Sequence, residues 1–436
     1  MEERNNLSAL KSFILHIHPG TVPTATLNIT FTLGLGGMGL VLFLLLAVTG
    51  ILLLFVYEPS AATAYDSILF LQRNISFGQL IRNIHHFSGN ILLIVSFLHL
   101  LRVFFTGAFH KPRQFNWIIG LGLFLLIICA NFTGYLLPWD QLSFWAVTIS
   151  TGMLEYVPVI GVWLLKLLRG GDEVGPATLT IFFALHSAVI PLIMILLMLF
   201  HFWLVRKAGG TVIPRPRDEA PPTKPAMAPV IPDLVVREAA VGALLTAFVL
   251  IYAIFFNAPL EEAANAGLSP NPAKAPWYFL GLQELLLHFS PFLAVFIIPG
   301  LGSLFICRLP WFRYHNPAIG VWFCSEKGRH MGLISSLFAL MATPLLVVAD
   351  DLLIESSTWF STWLPKTSPV VHDGLILFVI LLSAIGTFYF LMKRRFKATK
   401  AEIIQAIFIL LLTAFLVLTV IGIWFRGPKM ALIWPG

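Results

Sequence analysis

Two stretches of the chain carry histidines at matched spacing: IHHFSGNILLIVSFLH, residues 84–99, and HSAVIPLIMILLMLFH, residues 186–201. Unpartnered imidazoles are costly in hydrocarbon, so ionisable residues inside apolar segments mark sites. An α-helix turns about 100° and rises about 1.5 Å per residue, which puts His85 and His99 about 21 Å apart at an offset of about −40°. His186 and His201 come about 22 Å apart at about +60°. Each pair shares a broad helix face. His86 would lie about −140° from His99, on the opposite side, so His85 is the expected ligand. Two such helices face to face offer two stacked bis-imidazole sites about 20 Å apart, the donor set of two haems held from both sides.

A haem also needs room and countercharge. Gly36 and Gly50, and again Gly120 and Gly134, stand fourteen residues apart and so at the same two depths as the histidines. Without a Cβ they let a flat ring approach the backbone. Arg82 lies three residues before His85 and Arg102 three after His99, which suits charge-assisted bonds to propionates. A lone membrane histidine is more often a helix–helix hydrogen-bond partner, and small residues at helical spacing more often form packing grooves. Four histidines and four glycines matched at two depths favour the haem reading.

Composition specifies the elements that must hold these residues. Of 436 residues 58% are hydrophobic and 11% charged, with a mean hydropathy of +0.87; a soluble domain carries roughly 25% charge. Apolar runs near the ~20 residues of a spanning helix lie at 34–56, 77–105, 116–138, 178–205, 235–256, 285–307, 331–349, 371–392 and 402–425. The fold class is therefore all-α, a polytopic transmembrane bundle of about nine spans with a four-helix dihaem bundle in the front half. The run 331–349 is the shortest. The second and fourth spans run in the same direction, so His85 pairs with His186 and His99 with His201.

Basic loops stay on the cytoplasmic side. Lys111 and Arg113, then Arg206, Lys207, Arg215, Arg217 and Lys224, then Lys393, Arg394, Arg395, Lys397 and Lys400 mark alternate loops as inside. The opposite loops carry Glu58 and Asp66, Glu261 and Glu262, and Asp350, Asp351 and Glu355. The N-terminus is expected in the cytoplasm, the C-terminus outside, and His85 and His186 at the outer depth. Met1–Pro23 has no cleavable-leader pattern. The net charge of +7 reads as topology, with no nucleic-acid partner. Cys129, Cys307 and Cys324 lack paired spacing and form neither a disulfide framework nor a metal knot.

The expected organisation is a dihaem domain at 1–210, a Pro-rich connector at 211–234, a second domain at 235–350 and two additional helices at 351–436. Two long loops, 139–177 and 257–284, are rich in Trp, Tyr and Pro. Long ordered loops tend to be functional.

The histidine pairs and their glycines, TGYLLPWDQLSFWA (133–146), PVIGVWLLKLLRGGDEVGPATLTIFFALHS (158–187) and Pro276-Trp277-Tyr278 resemble the cytochrome b subunit of quinol:cytochrome c and quinol:plastocyanin reductases. The resemblance spans about residues 20–350. The fifteen-residue separation of His186 and His201 is similar to the chloroplast type, and the fused rear half to the mitochondrial type, as in bacterial fused forms. The resemblance implies two non-covalent b-type haems, the low-potential one on His85 and His186 and the high-potential one on His99 and His201. It implies quinol oxidation at an outer pocket lined by Trp145, Ala146, Thr148, Pro276, Trp277 and Tyr278, with one electron going to a Rieske iron–sulfur partner. The other electron goes through the haems to an inner quinone site, where Arg237 and Glu238 occupy the place of a basic-acidic pair; a snorkelling charge pair is the alternative reading. Protons are released outside. A cytochrome c or another cytochrome subunit, a dimeric complex, membrane lipid and the cytoplasmic (inner) membrane follow from the same resemblance.

Three departures stand out. Gly34 replaces the cysteine that carries an additional covalent haem in the chloroplast type. Ala275-Pro276-Trp277-Tyr278 replaces Pro-Glu-Trp-Tyr, so the glutamate credited with accepting a quinol proton is missing, as in some menaquinol users. Glu284, with His288 four residues on, and Asp140 are the candidate replacements beside Tyr278. The spans at 371–425 exceed both plans. A rival reading is a dihaem membrane anchor wiring a dehydrogenase or hydrogenase to quinone, but such anchors lack the LPWDQ and PWY loops.

Overall fold

The computed structural model describes residues 19–215, 217, 225–315, 317–354, 362 and 374–434. Among them nine helices are long and apolar enough to cross a membrane: α1 (Leu35–Leu54), α2 (Gly78–Phe105), α3 (Gln114–Leu136), α4 (Pro176–Lys207), α5 (Val230–Phe255), α6 (Phe292–Trp311), α7 (Glu326–Leu352), α8 (Ile376–Arg395) and α9 (Lys400–Trp424). Each expected apolar run coincides with one of them. Residues 1–18, Lys224 and Glu355 lie outside the described residues.

Two runs differ in extent, for local reasons. The short run at 331–349 is the interior of α7, which starts earlier because Ser325 caps it by accepting the Gly328 amide. The run at 285–307 is broken. A separate short helix, Leu280–His288, ends at Phe289 in an extended conformation, and α6 starts at Phe292 behind Pro291. Proline disfavours helical geometry in the residue before it, which sets the break. The Pro-rich segment is more than a connector. Strand β1 (Thr21–Pro23) pairs antiparallel with β2 (Met227–Pro229), and Val22, Leu27, Ala228 and Val230 bury together. Residues 216 and 218–224 of that segment lie outside the described residues.

Contacts divide the chain into two compact units that interleave along the sequence. The first runs to Pro138 and adds Phe182–Leu260 and Pro310–Trp322; the second comprises Trp139–Ile181, Glu261–Leu309 and Phe323–Gly436. The expected boundary at 211–234 thus falls inside the first unit. There α1 packs on α2, α3 on α4, α2 on α3, and α5 against both α1 and α2. Polar ties hold the end of α5. Asn83 donates to the Ala253 carbonyl at 2.9 Å, and the buried Arg82 donates to the carbonyls of Ala258 (2.9 Å) and Pro259 (2.6 Å).

In the second unit α9 is central, touching α7, α8 and the helix Leu280–His288. The loop helices Gln141–Gly152 and Gly161–Arg169 are joined through the buried Arg169, which donates to Thr151 Oγ1 and the Thr148 carbonyl, each at 2.8 Å. Its remaining nitrogen reaches the Asp172 carbonyl at 2.8 Å.

Candidate functional site

Every ligand candidate in the first unit is met by a glycine of a neighbouring helix. A Cβ at Gly50 would come 3.2 Å from His85 Cε1, and one at Gly134 only 2.5 Å from His186 Cε1. At the other level a Cβ on Gly36 would lie 3.7 Å from His99 Cε1, and one on Gly120 3.6 Å from His201 Cε1. The two depths read from spacing are therefore real, and each notch admits an imidazole edge. His85 and His186 face one another, ring centroids 6.1 Å apart and planes at 75°. His86 turns elsewhere, its Nε2 3.2 Å from Asn90 Nδ2.

A local distortion brings the longer pair into phase. Pro191 has no N–H to give the carbonyl four residues back, and the preceding turn opens so that the Ile190 amide donates to Leu185, five residues back. One such π turn, Leu185–Val189, absorbs one residue, or about 100° of phase. The expected offset of about +60° between His186 and His201 becomes about −40°, equal to that of His85 and His99.

Hydrogen bonds select the tautomer at the first level. Thr49 Oγ1 donates to the Leu45 carbonyl at 2.6 Å, so its oxygen accepts from His85 Nδ1 at 2.9 Å. His186 Nδ1 donates to the Ala130 carbonyl at 2.9 Å, with Thr133 Oγ1 3.5 Å away. Both rings keep Nε2 as the nitrogen with a free lone pair, the state a metal requires. Sequence reasoning missed Thr49 and Thr133, although the Thr-Gly pairs 49–50 and 133–134 were a readable signal.

These residues fit an axially ligated haem. At the second level Arg102 is buried over the Phe31 ring (4.8 Å to its centroid), and its Nε donates to the Phe31 carbonyl. Its Nη2 is buried with no acceptor among the described residues, a donor left for a carboxylate. Arg82 differs: two backbone carbonyls occupy its guanidinium. Arg237 reaches the Leu27 carbonyl at 2.8 Å, and Glu238 lies against Gly37, next to Gly36.

The second unit gathers the two aromatic loops by main-chain pairing. Gln141 N donates to Glu262 O at 2.8 Å, Ala264 N to Trp139 O at 3.0 Å, and Asn265 N to Gln141 Oε1 at 2.7 Å. Gln141 Nε2 bonds the Leu268 carbonyl, and Trp145 Nε1 the Asn265 carbonyl at 3.3 Å. Asp140 is the hinge pin of this seam. One carboxylate oxygen caps the helix Gln141–Gly152 through Ser143 N (2.9 Å) and the other accepts from Glu261 N (3.0 Å). In that helix Ala146 is buried and Thr148 Oγ1 bonds the Phe144 carbonyl, while Trp277 packs edge-on against Tyr278 at 5.6 Å beyond Pro276.

Glu284 is 0% exposed, and both of its oxygens accept from Arg426. Arg426 also bonds Asp351 and the Met430 carbonyl. His288 Nε2 stands 3.6 Å from Glu284, and its Nδ1 2.6 Å from Asp350. Burial works against charge at both groups, but the hydrogen bonds win. The bonds from Arg426, with His288 close by, hold Glu284 below the ordinary carboxylate range, and the bond to Asp350, with the Glu284 carboxylate near, raises His288 to about 9. A carboxylate forked by a guanidinium is a poor proton acceptor. The helical spacing of Glu284 and His288 read from the sequence is present; Arg426, 142 residues away from Glu284, was invisible to it.

Comparison with known proteins agrees with this geometry. The Cytochrome b/b6/petB family model matches residues 21–209. Cytochrome b6 of Synechococcus sp. (strain CC9902) is 43% identical over 175 residues, 40% of this chain and 80% of that protein. Cytochrome b6 of Synechococcus elongatus (strain ATCC 33912 / PCC 7942 / FACHB-805) is also 43% identical, over 81% of its length. A solved hyperthermophilic respiratory Complex III chain shares the fold at a TM-score of 0.67 and 22% identity, covering 97% of this chain and 98% of that one. The likeness of fold therefore extends through the last two spans. With its paired, glycine-notched histidines and its identity to cytochrome b6 across four-fifths of that protein, the chain belongs to the cytochrome b/b6 family.

Proposed function

We propose that this chain is the dihaem cytochrome b subunit of a bc-type quinol oxidoreductase in a bacterial cytoplasmic membrane. The observation that carries the reading is the set of four histidines, each set against a glycine, at two levels of one bundle. When bound, two b-type haems supply one-electron acceptors with imidazole on both faces. His85 and His186 hold one and His99 and His201 the other; Thr49 and the Ala130 carbonyl fix the donor nitrogens of the first pair. Arg102, whose buried Nη2 lacks an acceptor among the described residues, would pair with a haem carboxylate at the second level, and Gly36, Gly50, Gly120 and Gly134 would keep the backbone clear.

Quinol is oxidised in the second unit, against Trp145, Ala146 and Thr148 on one loop and Pro276, Trp277 and Tyr278 on the other. The hydrogen-bonded seam supports this placement, because a dihaem anchor has no use for two long loops zipped together. Asp140 and Glu284 are engaged in a cap and an ion pair; Tyr278, beside Pro276 and Trp277, is the candidate to meet the quinol oxygen. A Rieske partner takes one electron outside, Arg237 and Glu238 serve quinone inside, and proton release outside follows from that sidedness. Menaquinol suits the Pro276 variant of the loop.

A dithionite-reduced minus oxidised spectrum with a haem count tests the reading. Two haems are expected; His186→Leu removes only one and His201→Leu only the other. All haem should extract into acidified solvent, because Gly34 stands where the covalent-haem cysteine would be and none of Cys129, Cys307 and Cys324 lies on α1. A chain without haem, or variants lacking all four histidines that keep two haems, would sink it.

A further inference from the structure

The two helices beyond α7 need a role. Helix α9 and its tail touch the segment that carries Pro276-Trp277-Tyr278 at five places. Lys429 N bonds Asn271 Oδ1, and Lys274 Nζ bonds the Ile423 carbonyl at 2.9 Å. Gly281 lies so close that a Cβ would meet Thr419 Oγ1 at 2.5 Å, and one at Gly422 would meet Leu280 Cβ at 3.2 Å. Arg426 grips Glu284 at the far end.

We infer that α9 and its tail position the quinol site, and that Arg426 does so by holding the helix Leu280–His288 through Glu284. The inference rests on the quinol-site reading proposed above. Trp277–Phe279 form one turn that runs directly into Leu280, so the aromatic rings and Glu284 share one short rigid element. Glu284 is fully buried, and a buried carboxylate is tolerated only with a partner. That partner arrives from beyond α9. His288, Asp350 and Asp351 complete the cluster, so the short helix is fixed to the end of α7 as well. At Gly281 the approach leaves no room for a Cβ, and at Gly422 a Cβ would fit only tightly. A segment so placed cannot slide without carrying Tyr278 with it, and a displacement of about 1 Å costs roughly a hundredfold in rate.

The test uses the full-length chain in its assembled complex with a short-chain quinol. Arg426→Gln should lower kcat/KM about tenfold or more, with both haem spectra and the haem count retained, and Arg426→Lys should restore part of the loss. The paired Glu284→Gln/Arg426→Met variant leaves no lone charge at the fully buried position 284, and Asp351, which also loses Arg426, is partly exposed; it should assemble yet show a rise in KM. Lys274→Met, which loses the tie to Ile423 and a positive charge near Glu284, should move KM in the same direction by less. Wild-type KM and kcat in both the paired variant and Lys274→Met would overturn the inference alone. Haems of the wild type that quinol fails to reduce would overturn the function reading, and this inference with it.

Discussion

In the first unit each candidate haem ligand is placed by its own helix and one facing glycine; in the second the candidate site side chains are placed by partners far away in the chain. His85 needs Gly50 and Thr49 and little else. Asp140 needs Ser143 and Glu261, and Glu284 needs Arg426, Asp351's neighbour in the ion cluster. The helical bundle is a repeat in depth, where position along the axis decides function. The loop unit is a set of closures, where each functional residue depends on a segment folding back. Damage should therefore be local in the first unit and distributed in the second.

The sharpest way to break this contrast lies in the notches. Gly134→Ala puts a methyl where only 2.5 Å separates it from His186, and should abolish one haem while sparing the other. Gly36→Ala, with 3.7 Å to His99, should disturb only the other haem, and by less. Equal haem loss in the two variants, read from difference spectra, would mean that the bundle does not act level by level. In the second unit Asp140→Ala removes a cap worth about 1 kcal/mol and orphans the Glu261 amide at about a further 1–3 kcal/mol. Thermal unfolding and limited proteolysis should then show both loops opening together, since the seam joins them. Cleavage confined to one loop would show that they are independent.

A smaller effect sharpens the same point through pH. His288 titrates at about 9 in the folded protein, above the ordinary 6.5. A histidine raised on folding adds stability that is fully present below its unfolded value and is lost as pH rises through the folded one. Thermal stability should fall between about pH 6.5 and about 9, and His288→Gln should flatten that slope. The haem bundle, with no part in the cluster of Glu284, Asp350, Asp351 and Arg426, should keep its spectrum across the same range.

The contrast also explains what was legible. Nine spans, two histidine pairs and the four glycines that face them were readable because helical geometry converts spacing into depth. Helix ends were less so, since Ser325 and Pro291 act through a cap and a backbone clash rather than through hydropathy. The phase of His201 was misread by about 100° because the count of residues cannot register a π turn. Arg82, read from the sequence as a propionate partner, also holds Ala258 and Pro259, a contact made across 176 and 177 residues that spacing cannot show. Arg426 was no candidate at all. Its pairing with Glu284 exists only after α9 has docked.

The turn ahead of Pro191 has a consequence for how such chains tolerate length change. Because it stores one surplus residue, deleting Ala188 and closing the turn to an ordinary helix would leave His186 and His201 in the same phase. In this chain the fifteen-residue interval therefore turns its two imidazoles as a fourteen-residue interval would on an unbroken helix.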